Sequence, residues 1–200
     1  MVQQVKEQIK LKELWFRLIL KDYLNYLRKD GNMVIGNPYV FSIMIDIVDE
    51  WNSDKSFNNG LLFMGINGVL IPKKITTATL NTEIFPLIRK LKNPMKNKDI
   101  FKMEKKEAFS CIYEQTFPSA YDVENDYSYY ITPFEFENNN CLIFMVGDGE
   151  QIRILASEVE YIKEESTHNL QKLDVIETYI SNEELEKIVE KLSIFHMNSR

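Results

Sequence analysis

The sequence predicts an α+β fold: a mainly antiparallel sheet with helices packed on one face, plus an N-terminal helix. Three patterns lead to this prediction. Apolar residues alternate along residues 39–50, as in a strand, and Asn67-Gly68 is a strong hairpin signal because both turn positions favour positive φ. Ser181 and Glu184 have the spacing of a capping box before a final helix. Hairpins join antiparallel neighbours, so we expect antiparallel strands.

The N-terminal residues have the pattern of a long amphipathic helix. Apolar side chains recur every three to four residues along residues 2–29, and Asp30-Gly31-Asn32 is a stop signal. A chain of 200 residues, 44% of them hydrophobic, is sufficient for one full core. We therefore predict a helical extension over residues 1–32 and a single α+β domain over residues 33–200. The helix would bury its apolar stripe against the domain or against a second copy.

The first half of the predicted domain is rich in strands. After residues 39–50, we predict strands at residues 61–66 and 69–71, and a further short strand within residues 75–80. Pro72 should end the pairing of the third strand. Thr82 is then expected to cap a helix that ends near residue 91, with Pro86 close to its first turn.

The second half mixes helices, strands and an acidic loop. Residues 98–115 follow a helical pattern, and residues 118–126 are predicted to form a loop. Later segments are predicted as strands at 129–136, 142–146 and 151–155, a strand or loop at 173–180, and a final helix with a buried stripe of Leu185, Ile188, Val189 and Leu192.

Metal, redox and membrane functions find little support in the sequence. Cys111 and Cys141 are expected to be free buried thiols, although a disulfide remains open if their Cα atoms lie within about 7 Å. Two cysteines and two distant histidines do not suggest a zinc site. The longest apolar cluster is too short to span a membrane, and the N-terminus lacks the pattern of a signal peptide. We expect a cytoplasmic protein without metal or cofactor.

Charge is distributed unevenly along the chain. The formal net charge is −6, which argues against nucleic-acid binding. Residues 120–165 hold eleven acidic and only two basic residues. Such a block can attract a basic partner, or it can be an ordinary solvated surface. Tyrosines within it favour a protein partner, because tyrosine is a frequent anchor at protein interfaces.

A catalytic centre is not evident. His168 and His196 lie outside any nucleophile motif, and Gly147-Asp148-Gly149 has the pattern of a turn rather than a phosphate loop. Strand alternation would place Asp46 and Glu50 on one face. We predict that the chain is not an enzyme. The alternative is an enzyme that uses Asp46, Glu50 or His168 from the 46–54 segment and the later loop.

One segment resembles a known family. Gly36-Asn37-Pro38-Tyr39, with Phe41, leads into a strand, and Trp51 and two glycine-containing turns at 59–60 and 67–72 follow. Over residues 33–80 this resembles the start of the immunity protein 42 type family of bacterial polymorphic toxin systems. The helix of about 30 residues before it departs from the family pattern.

The resemblance implies a non-catalytic cytoplasmic protein that binds and neutralises a cognate toxin domain. The partner-binding residues are expected first in the acidic block and second after the first strand, namely Tyr121, Asp122, Glu124, Asp126 and Tyr127, then Asp49, Glu50, Trp51 and Asp54. No nucleic acid or membrane is expected as a partner. The chain would be a monomer or a homodimer, and a scaffold that dimerises through the N-terminal helix is a further alternative.

Overall fold

The computed structural model describes residues 32–52, 58–120, 122–162 and 167–198. The predicted N-terminal helix lies outside these residues. The described part is an α+β fold with antiparallel strand pairs. None of its helices is both long and apolar enough to cross a membrane.

The first sheet has five strands. They run in chain order as β1 (Asn32–Gly36), β2 (Phe41–Ile47), β3 (Asn59–Ile66), β4 (Val69–Ile71) and β5 (Thr77–Thr79). β3 pairs with β2 over Gly60–Ile66, with β4 at Met64–Ile66 and with β5 at Asn59–Leu61. Asn67 and Gly68 turn the chain between β3 and β4 with φ values of 49° and 74°, which confirms the predicted hairpin.

The second sheet has three strands in the order β10-β7-β6, and a separate pair joins β8 to β9. These strands are β6 (Cys141–Gly147), β7 (Gln151–Glu158), β8 (Glu160–Ile162), β9 (Thr167–Asn169) and β10 (Ile176–Ser181). The five helices are α1 (Leu80–Leu91), α2 (Lys98–Lys102), α3 (Lys105–Thr116), α4 (Phe134–Glu137) and α5 (Asn182–Asn198) within the described residues.

Helices cover both faces of the second sheet, so the prediction of helices on one face is wrong. Ile143 and Met145 of β6 share a core cluster with α1, α5 and the first sheet. The alternate residues Leu142 and Phe144 share a second cluster with Phe109 of α3 and with residues of α2. Because successive side chains point to opposite faces, a strand that is apolar at every position is buried on both sides.

Three predicted elements have other boundaries. β2 ends at Ile47, and Asp49–Trp51 form a short 3-10 helix instead of continuing the strand. α1 begins at Leu80, directly after β5, so Pro86 lies inside the helix and Thr79 rather than Thr82 occupies its N-cap. The helix predicted over residues 98–115 is divided by an extended backbone at Met103.

The strand predicted over residues 129–136 does not form. Tyr130 makes an isolated bridge to Phe144, and Pro133 then precedes α4. The chain beside β6 is held by irregular hydrogen bonds, among them one in which the Ile143 N–H donates to Thr132 Oγ1 at 2.7 Å. The strand option for residues 173–180 is confirmed as β10. The sequence prediction did not include β1, β8 or β9.

The final helix forms as predicted. The Ser181 N–H donates to Glu184 Oε2 at 2.9 Å, and the Glu184 N–H donates to Ser181 Oγ at 3.1 Å, which confirms the capping box. All four residues of the predicted stripe are buried. α5 packs against α1, where the rings of Phe85 and His196 stack with centroids 5.6 Å apart. Cys111 and Cys141 are both free.

Candidate functional site

The strongest candidate surface lies at the end of α3, where an acidic loop meets a group of aromatic side chains. We call this group the aromatic cluster; its members are Tyr113, Phe117, Tyr127, Tyr130, Tyr161 and His168. Phe117 links the cluster, because its ring contacts those of Tyr127, Tyr130 and His168, with centroids 5.7–6.3 Å apart. Edge contacts at these distances are the favoured geometry for aromatic pairs. Four separate parts of the chain therefore converge here.

Two tyrosines form the exposed ends of the aromatic cluster. Tyr127 is 53% exposed and Tyr161 is 44% exposed. Tyr127 makes edge contacts with Phe117 and Tyr130, and Tyr161 makes one with His168 at 5.3 Å. These contacts restrict the exposed rings before any partner arrives. A restricted tyrosine loses less conformational entropy on binding, which makes it a suitable anchor.

The acidic loop is tied to the end of α3. The Asp126 N–H donates to Gln115 O at 2.8 Å, and Asn125 Nδ2 donates to Thr116 O at 2.8 Å. The Asp126 carboxylate accepts the Ser128 N–H at 2.8 Å, so this predicted site residue has a structural role in the turn. Asp122 and Glu124 are exposed. They are the carboxylates of this loop that face solvent.

A polar network of Glu83, Lys90 and Glu137 lies next to Tyr130 of the aromatic cluster. Tyr130 donates its hydroxyl to Glu137 Oε2 at 2.6 Å, and Lys90 Nζ lies 4.7 Å from the centre of the Tyr130 ring. Lys90 also donates to Thr132 O at 3.1 Å, and Glu83 Oε2 accepts the Phe134 N–H at 2.8 Å. Burial raises the pKa of Tyr130 and of Glu83 and lowers the pKa of Lys90. The network fixes the segment around α4 to α1.

His168 belongs to the aromatic cluster rather than to a catalytic group. Its Nδ1 lies 3.0 Å from Tyr113 Oη, which also accepts the His168 backbone N–H at 3.2 Å. Burial lowers the pKa of His168, and this favours the neutral imidazole. Asp46 lies in β2 of the first sheet, where burial raises the pKa of its carboxyl. Sequence pattern alone did not connect His168 or Tyr161 with the acidic loop.

The second predicted segment follows β2 of the first sheet. Asp49, Glu50 and Trp51 are exposed on the 3-10 helix after β2. This short helix is held by Asn52, whose Nδ2 donates to Val48 O at 2.7 Å and whose Oδ1 accepts the Asn59 N–H at 2.6 Å. The acidic loop follows α3, whereas this segment follows β2 of the first sheet. Tyr121 and Asp54 lie outside the described residues.

The described residues contain no group of three or more His, Cys, Asp and Glu side chains that could hold a metal ion. Cys141 is buried, and burial raises the pKa of its thiol to about 12. A thiol with such a pKa is a poor nucleophile near neutral pH. The exposed rings of Tyr127 and Tyr161 and the exposed carboxylates of Asp122 and Glu124 are instead suited to contact with a protein.

The fold resembles that of CdiI from Burkholderia dolosa AUO158. The TM-score is 0.68 with 20% sequence identity, and the match covers 82% of this chain and 99% of that chain. At this identity the likeness concerns the fold alone. No curated protein matches the sequence significantly.

The family comparison covers most of the chain. The family model described as Immunity protein 42 matches residues 33–195. This confirms the resemblance first apparent over residues 33–80 and extends it into α5. Immunity proteins are typically non-catalytic, in agreement with the prediction that the chain is not an enzyme. The protein described above therefore belongs to the immunity protein 42 family.

Proposed function

We propose that this protein binds and neutralises a cognate toxin domain in the bacterial cytoplasm, and that it does so through the surface formed by Asp122, Glu124, Tyr127 and Tyr161. The observation that carries the proposal is the pair of exposed tyrosines restricted by the aromatic cluster beside exposed carboxylates. Tyrosines can fill pockets on the partner, while the carboxylates attract a basic surface such as a nuclease substrate cleft.

Charge in the wider segment supports a basic partner. Residues 120–165 carry eleven acidic and two basic residues, and one of the two basic residues is Arg153. Arg153 is buried and paired with Glu177 at 2.6 Å, so it does not offset the negative charge at the surface. Electrostatic attraction of this kind mainly accelerates association and depends on salt.

Growth rescue tests neutralisation itself. The chain would be co-expressed in bacteria with the toxin domain encoded immediately upstream of its gene. We expect growth to be restored by this chain and not by an unrelated acidic protein. If both proteins are soluble and growth is still arrested, the proposed neutralisation is wrong.

A matched pair of charge reversals tests which surface is used. Asp122→Lys with Glu124→Lys changes the acidic loop and leaves the structural carboxylate of Asp126 in place. Asp49→Lys with Glu50→Lys makes the same total change in charge on the other predicted segment. We expect the first pair to slow association with the toxin domain by about 10-fold or more at low salt, and the second to have little effect. The reverse ranking would assign binding to the segment at Asp49–Trp51.

The tyrosine anchors are tested through dissociation. Tyr127→Ala removes an exposed ring without removing charge, and a loss of about 2 kcal/mol is typical of an interface anchor. This corresponds to a dissociation constant raised by roughly 30-fold. Tyr39→Ala is a matched control, because Tyr39 is another half-exposed tyrosine, in the turn before β2. Equal effects of the two substitutions would contradict the role of Tyr127.

A further inference from the structure

A groove with an exposed apolar rim runs along α5. Its volume is about 1160 Å³, and α5 contributes to it a stripe of side chains at helical spacing, from Asn182 to Met197. Ile194 and Met197 are 46% and 65% exposed at its rim, and Met95 is exposed on the opposite wall. The volume exceeds the roughly 300–1,000 Å³ of a typical small-molecule site. A large groove with exposed apolar side chains commonly marks an interaction surface for a protein.

One end of the groove lies beside Tyr127. Ser128 follows Tyr127 in the chain, is exposed and lines the groove. The groove is therefore continuous with the surface proposed above for the toxin domain, which consists of Asp122, Glu124, Tyr127 and Tyr161. A partner bound at that surface can extend into the groove without leaving the protein.

Hydrogen bonds to β6 and to the turn after it place this end at the start of α5. The Gly147 N–H at the end of β6 donates to Met95 O at 2.8 Å, and Tyr129 O, next to the groove, accepts another N–H of β6 at 2.8 Å. Asn182 Nδ2, in the first turn of α5, donates to Gly149 O at 3.1 Å. From this end the groove follows α5 towards its C-terminus, where its apolar rim is most exposed.

The two walls of the groove carry opposite charges. Lys92 and Lys96 are exposed on one wall, and Glu186 and Glu190 are exposed on the wall formed by α5. Within the described part of the chain, none of these four side chains forms an ion pair. Charges on a surface favour partners with complementary charges. The walls therefore favour an occupant with acidic side chains along one flank and basic side chains along the other.

The groove has the length of a short helix. The part of α5 from Asn182 to Met197 rises by about 22 Å, which equals about four helical turns. Amphipathic helices bind in apolar grooves through side chains at i, i+3, i+4 and i+7. We propose that an amphipathic helix of the cognate toxin domain, about four turns long, binds in the groove between α5 and Leu91–Lys96.

The apolar stripe of this toxin helix covers Met95, Ile194 and Met197. Its basic flank lies beside the glutamates of α5, and its acidic flank lies beside the lysines of the other wall. This inference rests on the proposed neutralisation of a toxin domain and extends the same binding surface from Tyr127 along α5.

Photocrosslinking identifies the occupant of the groove. Ile194 is replaced by p-benzoylphenylalanine in the full chain, which is then mixed with the toxin domain encoded immediately upstream of its gene and irradiated. We expect a product with the combined mass of one chain and one toxin domain. The same replacement at Ile75, another exposed isoleucine that lies outside the groove, should give little of this product. Crosslinks only within the chain or only between two copies would overturn the proposal, because the groove would then hold another occupant.

The affinity for the toxin domain tests the apolar contact. Ile194→Glu with Met197→Glu should raise the dissociation constant by about 10-fold or more, because it places charge where the apolar stripe of the toxin helix binds. Ile75→Glu is the control and should leave the dissociation constant unchanged. An unchanged dissociation constant for the groove variant would overturn the proposal.

A charge exchange guards against misfolding of the apolar variant. Lys92→Glu with Glu186→Lys exchanges exposed charges between the two walls and keeps the formal net charge at −6. Long-range attraction of the toxin domain is therefore preserved, and we expect the dissociation constant to rise by about 3-fold or more with unchanged circular dichroism. An affinity that is insensitive to both groove variants would refute the binding site.

The same measurements separate this inference from the proposed function. If Asp122→Lys with Glu124→Lys slows association while both groove variants bind normally, the groove proposal is wrong and the proposed binding surface stands. If the unsubstituted chain does not bind the toxin domain, both proposals are wrong.

Discussion

Arg153 offers a quantitative test of how the second sheet is held to its helices. It is 1% exposed on β7, and its Nη1 donates to Phe101 O at 2.9 Å and to Met103 O at 2.8 Å, just where α2 ends. Its Nη2 donates to Glu177 Oε2 at 2.6 Å. One guanidinium therefore satisfies two carbonyls at a helix end and one carboxylate on β10.

The perturbation is Arg153→Met, which keeps much of the side-chain length and removes every donor. Each buried carbonyl left without a partner costs about 1–3 kcal/mol. The lost ion pair adds less, because Glu177 keeps 29% side-chain exposure and can be hydrated again. We expect a total loss of about 3–5 kcal/mol in the free energy of unfolding. This is a large share of the roughly 5–15 kcal/mol that holds a typical domain folded.

Urea unfolding followed by circular dichroism gives the midpoint and the slope. Lys187→Met is the control, because Lys187 pairs with Glu183 on the exposed side of α5 and should change the midpoint little. A loss below about 1 kcal/mol for Arg153→Met, with an unchanged slope, would refute the reasoning. It would mean that water or other donors replace the guanidinium at the end of α2.

Three further predictions concern the turn, the buried carboxyl and the buried thiol. Gly68→Ala places a Cβ at φ 74° and should lower stability by about 1–2 kcal/mol in the same urea assay, while no change would show that the turn relaxes. Burial holds the pKa of the Glu83 carboxyl above its ordinary value of 4.5, so the free energy of unfolding falls as pH rises from 4.5 through the native pKa. Glu83→Gln keeps an acceptor for the Phe134 N–H and should remove this pH dependence. An equally steep pH profile of the variant would contradict the prediction. With Cys111→Ser, the Cys141 thiol should react with a thiol reagent only as fast as the protein unfolds, because the side chain is buried away from the reagent in the folded protein. Rapid reaction of the folded protein would be the contrary result.

Features that depend on local chemistry were predictable from the order of the amino acids alone. The hairpin at Asn67-Gly68 and the capping box at Ser181 and Glu184 were predictable, because each uses the conformational preference or hydrogen bonding of adjacent residues. The family resemblance also began in a short contiguous segment, residues 33–80. The acidic character of residues 120–165 follows from counting charges. None of these features requires knowledge of distant contacts.

Contacts between residues far apart in the chain could not be predicted in this way. The break between α2 and α3 coincides with the hydrogen bonds from Arg153, which lies about 50 residues further along the chain. Tyr127 and Tyr161 join one surface because Phe117 and His168 lie between them. Asp126 proved to be part of a turn, while Asp122 and Glu124 remain exposed. Long-range packing and desolvation fix these arrangements, and local sequence preference does not encode them.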